Sequence, residues 1–506
     1  HPGSGTTFAE QVANGIVTPQ SHVFQNDLNY VFSPRAGFAF SPGESNKWLV
    51  HGGIGLYHDY FTLGNAENGL SGNPPGFARP TFYNNGSTAA PVFGYGTQNT
   101  YPFGFVFPAF QGEQLDAKGG IAGAQIGIGG VDGHLKSPFT INFSLAVDRQ
   151  ITPDFVVSLG YVGSHSGNLI AAAGNVNNTS YGNDVNTFAG DLIQHINCTA
   201  SPGSLVEQCS GTQTRLNTSF GGINYAYNVA VGNYDGLILS ARGRFARTGF
   251  LTSSYTFSHS LDDWQNYPIG YPTNQFYANS PYDVRQRFSL GASYELPGAH
   301  LSGRFARRGL GGWTLSGLTV LQTGTPFSVY TGAPFAAQLP LGLPATAANL
   351  TFAPGSGDYN ADGDNFDFPN VTSYKQSHNR KDYGKSLGVL GACSGGVLPC
   401  GDFTLPAIGT EGNEIPNQFR NPGYADVDFS IKKITPITER INLELRLDTF
   451  NLFNRVNLYP VGADSGNNPC PTNSSSCGNN LQNGVFGQSQ NNYPARNMLV
   501  GARVTF

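Results

Sequence analysis

Residues Arg440–Asn454 read RINLELRLDTFNLFN, and the chain closes on Asn497–Phe506, NMLVGARVTF. In the first stretch Ile441, Leu443, Leu445 and Leu447 alternate with Asn442, Glu444, Arg446 and Asp448. That two-residue period belongs to a strand with one apolar and one charged face, not to a 3.6-residue helix. A water-soluble sandwich also alternates, with its apolar face on a packed core. The second stretch separates the two. Met498, Val500, Ala502, Val504 and Phe506 share one face, and the aromatic is the final residue. A membrane-spanning β-barrel ends in this way, its last strand closing the wall and its terminal aromatic resting in the interfacial girdle.

Composition supports the same class. The 506 residues include 67 Gly, 24 Tyr and 36 Phe, with only 12% charged residues, which describes an aromatic, turn-rich all-β chain. No apolar run approaches the roughly 18 residues of a transmembrane helix, whereas a spanning strand needs only about 9 to 11 residues. The net charge of −5 and the lack of a long basic run argue against a nucleic-acid partner. The chain opens on His1 without an initiator Met or a recognisable targeting segment, which reads as a processed or truncated N-terminus. Six cysteines fall as three close pairs, Cys198/Cys209, Cys393/Cys400 and Cys470/Cys477. Local disulfides in an oxidising compartment are the simplest reading. Zinc is the weaker one, since no pair has two-residue spacing and His195 is the sole histidine near a pair.

Taken in order, residues 1–32 read as a loop or the remnant of a preceding strand, with one possible strand near Val23, and 33–506 as the barrel portion. Strands are expected around SPRAGFAF, Lys47 to His58, Ile141 to Asp148, Phe155 to Tyr161, Leu237 to Phe245 and LTSSYTFSHS. Further strands follow at Phe288 to Leu296, from Trp313 through Tyr330, at Asp426 to Lys432, in the Arg440 stretch and at the terminus. The long connections are expected over about 59–137, 164–228, 261–282, 331–421 and 455–493. Eleven strands thus alternate short and long connections, the asymmetry of an outer-membrane antiparallel barrel with tight periplasmic turns and long extracellular loops. A single-chain bacterial barrel has an even strand number with both ends in the periplasm. Eleven or twelve strands beginning at the outer rim are therefore expected to form the C-terminal portion of a larger barrel of the 22-strand type.

An Arg or Lys facing lipid at the bilayer midplane costs about 2 to 4 kcal/mol. Arg242, Arg244, Arg287, Glu295, Asp426, Asp428, Arg440, Glu444, Arg446 and Asp448 are accordingly expected to line the lumen, either as a solvated wall or as a surface that holds a plug or conducts solute.

The clearest local chemistry is DYNADGDNFD. Asp358, Asn360, Asp362 and Asp364 around Gly363 match the opening of a calcium loop, with Asp367 as a late ligand. Pro369 occupies the position of the usual bidentate Glu, and an acidic solvated loop tip is the competing reading. Calcium is the one cofactor the sequence suggests. Enzyme signatures fail: Gly163-Ser164-His165-Ser166-Gly167 carries His where a hydrolase elbow needs Ser, and Ser258, His259, Asp262 and Asp263 are neighbours along one strand end rather than a triad. The Gly-rich run from Gly119 to Gly133 lacks a phosphate-loop Lys.

The ordered succession SPRAGFAF, HGGIGLYHDYF, YVGSHSGNL, SYTFSHSLDD, YDVRQRFSLGASYELP, GWTLSGLTVLQTGTPFSV, DYNADGD, ELRLDTFNLFNRVN and GARVTF resembles the barrel half of TonB-dependent outer-membrane transporters of the Oar-like type. The resemblance covers most of 33–506. It implies capture of an extracellular ligand by the loops and energised uptake through a plug pulled by the inner-membrane TonB complex. Gly501, Val504 and Phe506 resemble the signal read by the barrel-assembly machinery, with Leu499 where a polar residue is usual. The sequence before residue 33 shows no TonB box or plug, so the chain reads as a fragment of such a transporter embedded in outer-membrane lipid. The alternatives are a structural or adhesive outer-membrane barrel and a passive porin.

Overall fold

A computed structural model describes residues 3–6, 8–17, 31–43, 47–59, 115–120, 126–170, 183–184, 196–200, 206–211, 216–226, 228–263, 277–297, 303, 308–331, 337–340, 342, 351–352, 368–376, 402–404, 406, 412–461, 487, 489 and 492–506. Its backbone is a meander of long strands: β1 (Arg35–Phe40), β2 (Trp48–His58), β3 (Phe139–Thr152), β4 (Phe155–Ile170), β5 (Asn228–Phe245), β6 (Gly249–Asp262), β7 (Gln286–Glu295), β8 (Trp313–Gln322), β9 (Tyr424–Pro436), β10 (Asn442–Phe450) and β11 (Asn497–Thr505). Each pairs antiparallel with the next in sequence. Among the described residues, β1 and β11 are each paired along one edge.

Register decides the chemistry of the wall, because side chains alternate between faces. Phe40, Val50, Val147, Leu159, Leu239, Tyr255, Phe288, Leu321 and Ala425 lie directly opposite one another in one row across nine strands. The adjacent row on the other face reads Leu49, Asp148, Ser158, Ser240, Ser254, Ser289, Val320 and Asp426. One face is therefore oil and the other is mostly small and polar. The oil is not covered: Leu159, Leu239 and Phe257 are about half exposed and Val500 is 85% exposed. In water such a continuous patch would drive association. In a bilayer it is the surface that lipid solvates.

The two ends of the apolar face carry different girdles. At the short-turn rim the Arg149 guanidinium sits 4.3 Å above the Trp48 ring and the Lys433 ammonium 4.7 Å above Trp313. Lys433 also donates to the carbonyls of Arg308, Gly309 and Gly311 at 2.9 to 3.1 Å, and Trp313 Nε1 donates to Gly309 O at 2.9 Å. Charge on the lipid side is tolerated there because it reaches out of the hydrocarbon to backbone oxygens. At the long-loop rim the Tyr161 hydroxyl donates to Asp235, and His165 Nδ1 pairs with Asn233 Oδ1 at 2.7 Å. Phe139 and Arg149 lie near opposite ends of β3, about ten residues apart, which matches the 9 to 11 residues of a tilted spanning strand.

The elements differ from the sequence reading in several places, β5 for one beginning at Asn228 and not at Leu237. β4 continues to Ile170, past the expected loop start at 164. β8 stops at Gln322 instead of running through Tyr330, because at Gly324 the backbone passes so close to Asn421 that a Cβ would lie 1.7 Å from its carbonyl oxygen. From Pro326 the chain pairs instead with Phe419–Arg420. Residues 1–32, expected to be irregular, contain a short helix α1 (Phe8–Ala13). Asn217 Nδ2 and Lys118 Nζ fasten its C-terminal end through the carbonyls of Val12, Gly15 and Ala13. Val23 lies outside the described residues.

Candidate functional site

The long connections were expected to be elaborated loops, and the structure shows short sheets among them. Ile196–Ala200 and Val206–Gly211 pair with each other, and the second pairs with Ala337–Pro340 from a connection more than a hundred residues later. Phe220–Ala226 joins Ile126–Val131 in parallel. Pro326–Phe327 pairs with Phe419–Arg420, and Asn370–Val371 with Phe403–Thr404. Sequence periodicity missed these elements because strands of two to seven residues carry too few alternations to register.

Between β8 and β9 the loop layer has its own core. The ring of Phe419 lies 6.0 Å from Phe327 and 5.4 Å from both Phe403 and Tyr374, and Tyr330 stacks on Phe368 at 5.5 Å. Phe368, Phe403 and Phe419 are fully buried. Burying an aromatic side chain contributes about 1.5 to 3 kcal/mol, so this cluster fixes the layer more firmly than its short ladders do. Polar pins orient it. Asn279 and Asn417 each donate a side-chain N–H to the other's backbone carbonyl, at 2.9 and 2.8 Å. Asn417 has φ of 56°, a left-handed conformation Asn tolerates better than most residues. The buried Glu414 accepts from Val329 N–H at 2.8 Å.

The layer is bolted to the wall through Asp283, which is 1% exposed. Its carboxylate accepts from Ser260 N–H at 2.8 Å, from Arg285 Nε at 3.0 Å and from Arg420 Nη2 at 2.6 Å. One anion thus joins the upper end of β6, the segment leading into β7 and the short strand at Phe419–Arg420. Nearby, the buried Asp263 accepts from Val231 N–H at 2.6 Å, and burial pushes its carboxyl above the ordinary aspartate range despite that bond. The reading from sequence singled out neither Asp283 nor its arginines. The available signal was a run of charges, YDVRQR, just outside an apolar strand.

Of the residues expected to line the interior, Arg242, Arg244, Arg287, Glu295, Asp426, Asp428, Glu444, Arg446 and Asp448 share the polar face by register. Arg446 Nε donates to Asp448 Oδ1 at 2.7 Å. Arg440 does not belong to that face. It lies in the exposed bend closed by Ile437 N–H to Ile441 O at 2.8 Å, and β10 begins only at Asn442. Gly501 lies opposite Arg446 and Val504 opposite Leu443, so they occupy opposite faces of β11. Phe506 follows that strand and is 96% exposed. Cys198 and Cys209 are directly opposite on paired antiparallel strands. Cys393, Cys400, Cys470 and Cys477 lie outside the described residues, as do Asp358, Asn360, Asp362, Asp364 and Asp367 of the candidate calcium loop.

A family profile described as "Outer membrane beta barrel domain" matches residues 3–498. The chain belongs to the outer membrane beta barrel domain family. Its place is the bacterial outer membrane. No curated protein sequence matches the chain. Among solved structures, similar ones include the ferripyoverdine receptor of the outer membrane of Pseudomonas aeruginosa, at 10% identity and a TM-score of 0.37, with 94% of this chain covering 32% of that one. The siderophore receptor PiuA from Acinetobacter baumannii is 8% identical at a TM-score of 0.38, with 93% of this chain covering 35% of it. The outer membrane transporter YddB from Escherichia coli is 8% identical at a TM-score of 0.37, with coverages of 84% and 37%. The outer membrane barrel domain therefore spans about a third of the length of these solved chains.

Proposed function

We propose that this domain is the ligand-capturing barrel portion of a TonB-dependent receptor, whose loops gather an extracellular ligand for energised uptake by the full-length protein. The observation that carries the reading is the built loop layer: an aromatic core around Phe419 is held on the wall by Asp283, Arg285 and Arg420. A passive pore needs only solvated loops, whereas capture needs a preorganised surface. The ordered motif succession supports the same reading. In it, the TonB complex acts through a plug, Gly501, Val504 and Phe506 are read by the barrel-assembly machinery, and the polar face lines the lumen.

The test is depletion of compounds from the medium by cells carrying the full-length protein, with and without the inner-membrane energising complex. Depletion that disappears without the complex is expected. Influx of a small hydrophilic dye that ignores the complex would instead identify a porin.

The oxidising exterior in this reading also accommodates a Cys198–Cys209 disulfide, since directly opposite strand positions about 4.5 to 5.5 Å apart fall within disulfide range. Intact mass after alkylation without reductant is expected to show both thiols protected; two alkylated thiols at these positions would overturn the bridge.

A further inference from the structure

At the long-loop rim of the apolar face lies a cavity of about 620 Å³ whose two halves differ in chemistry. Its lower half is made by Tyr255, Phe288, Leu321 and Ala425, the outward row of β6, β7, β8 and β9. Tyr255 and Leu321 are well exposed, and nothing in the fold covers them from the membrane side among the described residues. Its upper half is cationic, with Arg285, Arg420 and Arg455 in the lining and no acidic side chain among the lining residues. Asp283 stands behind the lining and is shared by Arg285 and Arg420. Asp426 accepts from the hydroxyl of the lining Tyr424 at 3.1 Å, so among the described residues the lining holds three guanidinium groups and the carboxylates beside it are already engaged.

The donors are also preset. Arg285 Nη2 is held by His259 Nε2 at 2.7 Å, and Arg420 Nη1 by the carbonyls of Asp283 and Gly324 at 3.2 and 3.4 Å. Gln376 clamps the Arg420 backbone from both sides, accepting its N–H at 2.6 Å and donating to its carbonyl at 3.1 Å. Arg455 is exposed, and among the described residues its guanidinium makes no hydrogen bond. Its backbone is what Asn451 holds.

A soluble anion would use the guanidinium groups and leave the apolar row idle. A hydrocarbon chain would do the reverse. We infer that this cavity binds a phosphorylated lipid of the outer leaflet, its phosphate on Arg285, Arg420 and Arg455 and its acyl portion along the Tyr255–Phe288–Leu321 row. The position requires no entry path, because the apolar row is part of the lipid-facing wall and the arginines stand at headgroup height where the strands give way to loops. Planar guanidinium forks suit phosphate oxygens in pairs. A lipid held there would brace the loop layer from the membrane side, through the same Arg285 and Arg420 that Asp283 fixes from behind.

The experiment titrates the full-length protein, folded in neutral detergent micelles, with fluorescent bisphosphorylated lipid A, with its dephosphorylated form and with inorganic phosphate as competitor. Binding of the phosphorylated lipid is expected to be at least about tenfold tighter than that of the dephosphorylated one. Arg455→Glu, which leaves the backbone bonds to Asn451 in place, is expected to remove about the same factor. Leu321→Asn is expected to weaken both lipids alike. Folding of each variant is read by its heat-modifiable migration. Equal affinity for the two lipids, an unaffected Arg455→Glu variant, or displacement by millimolar phosphate would each overturn the proposal.

Discussion

Leu239→Arg is expected to cost the folded barrel about 2 to 4 kcal/mol, whereas Ser240→Arg, its sequence neighbour, is expected to cost less than about 1 kcal/mol. The contrast follows from register alone. Leu239 stands opposite Leu159 and Tyr255 on the apolar face, and Ser240 opposite Ser158 and Ser254 on the polar one. Phe245 closes β5 at the short turn, six residues beyond Leu239. At about 3.3 Å per residue and a 45° tilt, Leu239 therefore lies roughly 14 Å above that rim, near the middle of an apolar band about 25 Å tall. A guanidinium there cannot reach either girdle, unlike Lys433, whose ammonium finds three carbonyls at its rim. Equilibrium unfolding by guanidinium chloride in phospholipid vesicles measures both variants. Equal costs would mean that the apolar face does not meet lipid.

The same register explains what could be read without coordinates. Wherever a strand spans the bilayer, its two solvents impose a two-residue alternation, over nine residues in Leu237 to Phe245 and seven in Ile141 to Val147, and all eleven wall strands were legible from it, down to the six residues of β1. Their ends were less so. Nothing in the alternation of GWTLSGLTVLQTGTPFSV marks Gln322 as a terminus, because the break at Gly324 is set by contact with Asn421, a residue from a distant loop. Arg440 was misplaced for a related reason, since it continues the charged alternation of β10 into a bend. The loop layer was the least legible part. Its core of Phe327, Phe403 and Phe419 gathers residues from three separate segments with no periodicity of their own, and its bolt at Asp283 depends on two arginines more than a hundred positions apart in sequence.

That bolt sets the second large effect. Asp283→Ala is expected to destabilise the loop layer by about 3 kcal/mol, the lower end of the range for breaking a buried ion pair from one side. The lower end applies because the arginine side chains are partly wet, 34% exposed for Arg285 and 24% for Arg420, and water offsets part of what the carboxylate supplied. Asp283 itself is 1% exposed and also receives the Ser260 N–H, so its loss leaves a half-buried donor without its acceptor. Asp283→Asn should cost less, since an amide oxygen can still accept from Ser260 while the charge is gone. The loss is expected to be local. Wall strands share long ladders with their neighbours, whereas among the described residues the layer meets β6 and β7 through this anion, the reciprocal Asn279–Asn417 bonds and a few further contacts, such as the Thr323–Gln286 pair at the start of β7. Hydrogen exchange should therefore accelerate in 323–331 and 417–423 while β6 to β9 stay protected. Uniform acceleration across the wall would show that Asp283 supports the barrel rather than the layer. Pairing Asp283→Asn with Arg420→Gln separates charge from shape: if the cost is the stranded guanidinium, removing both charges recovers part of it, and if it is lost packing the double variant is worse than either single one.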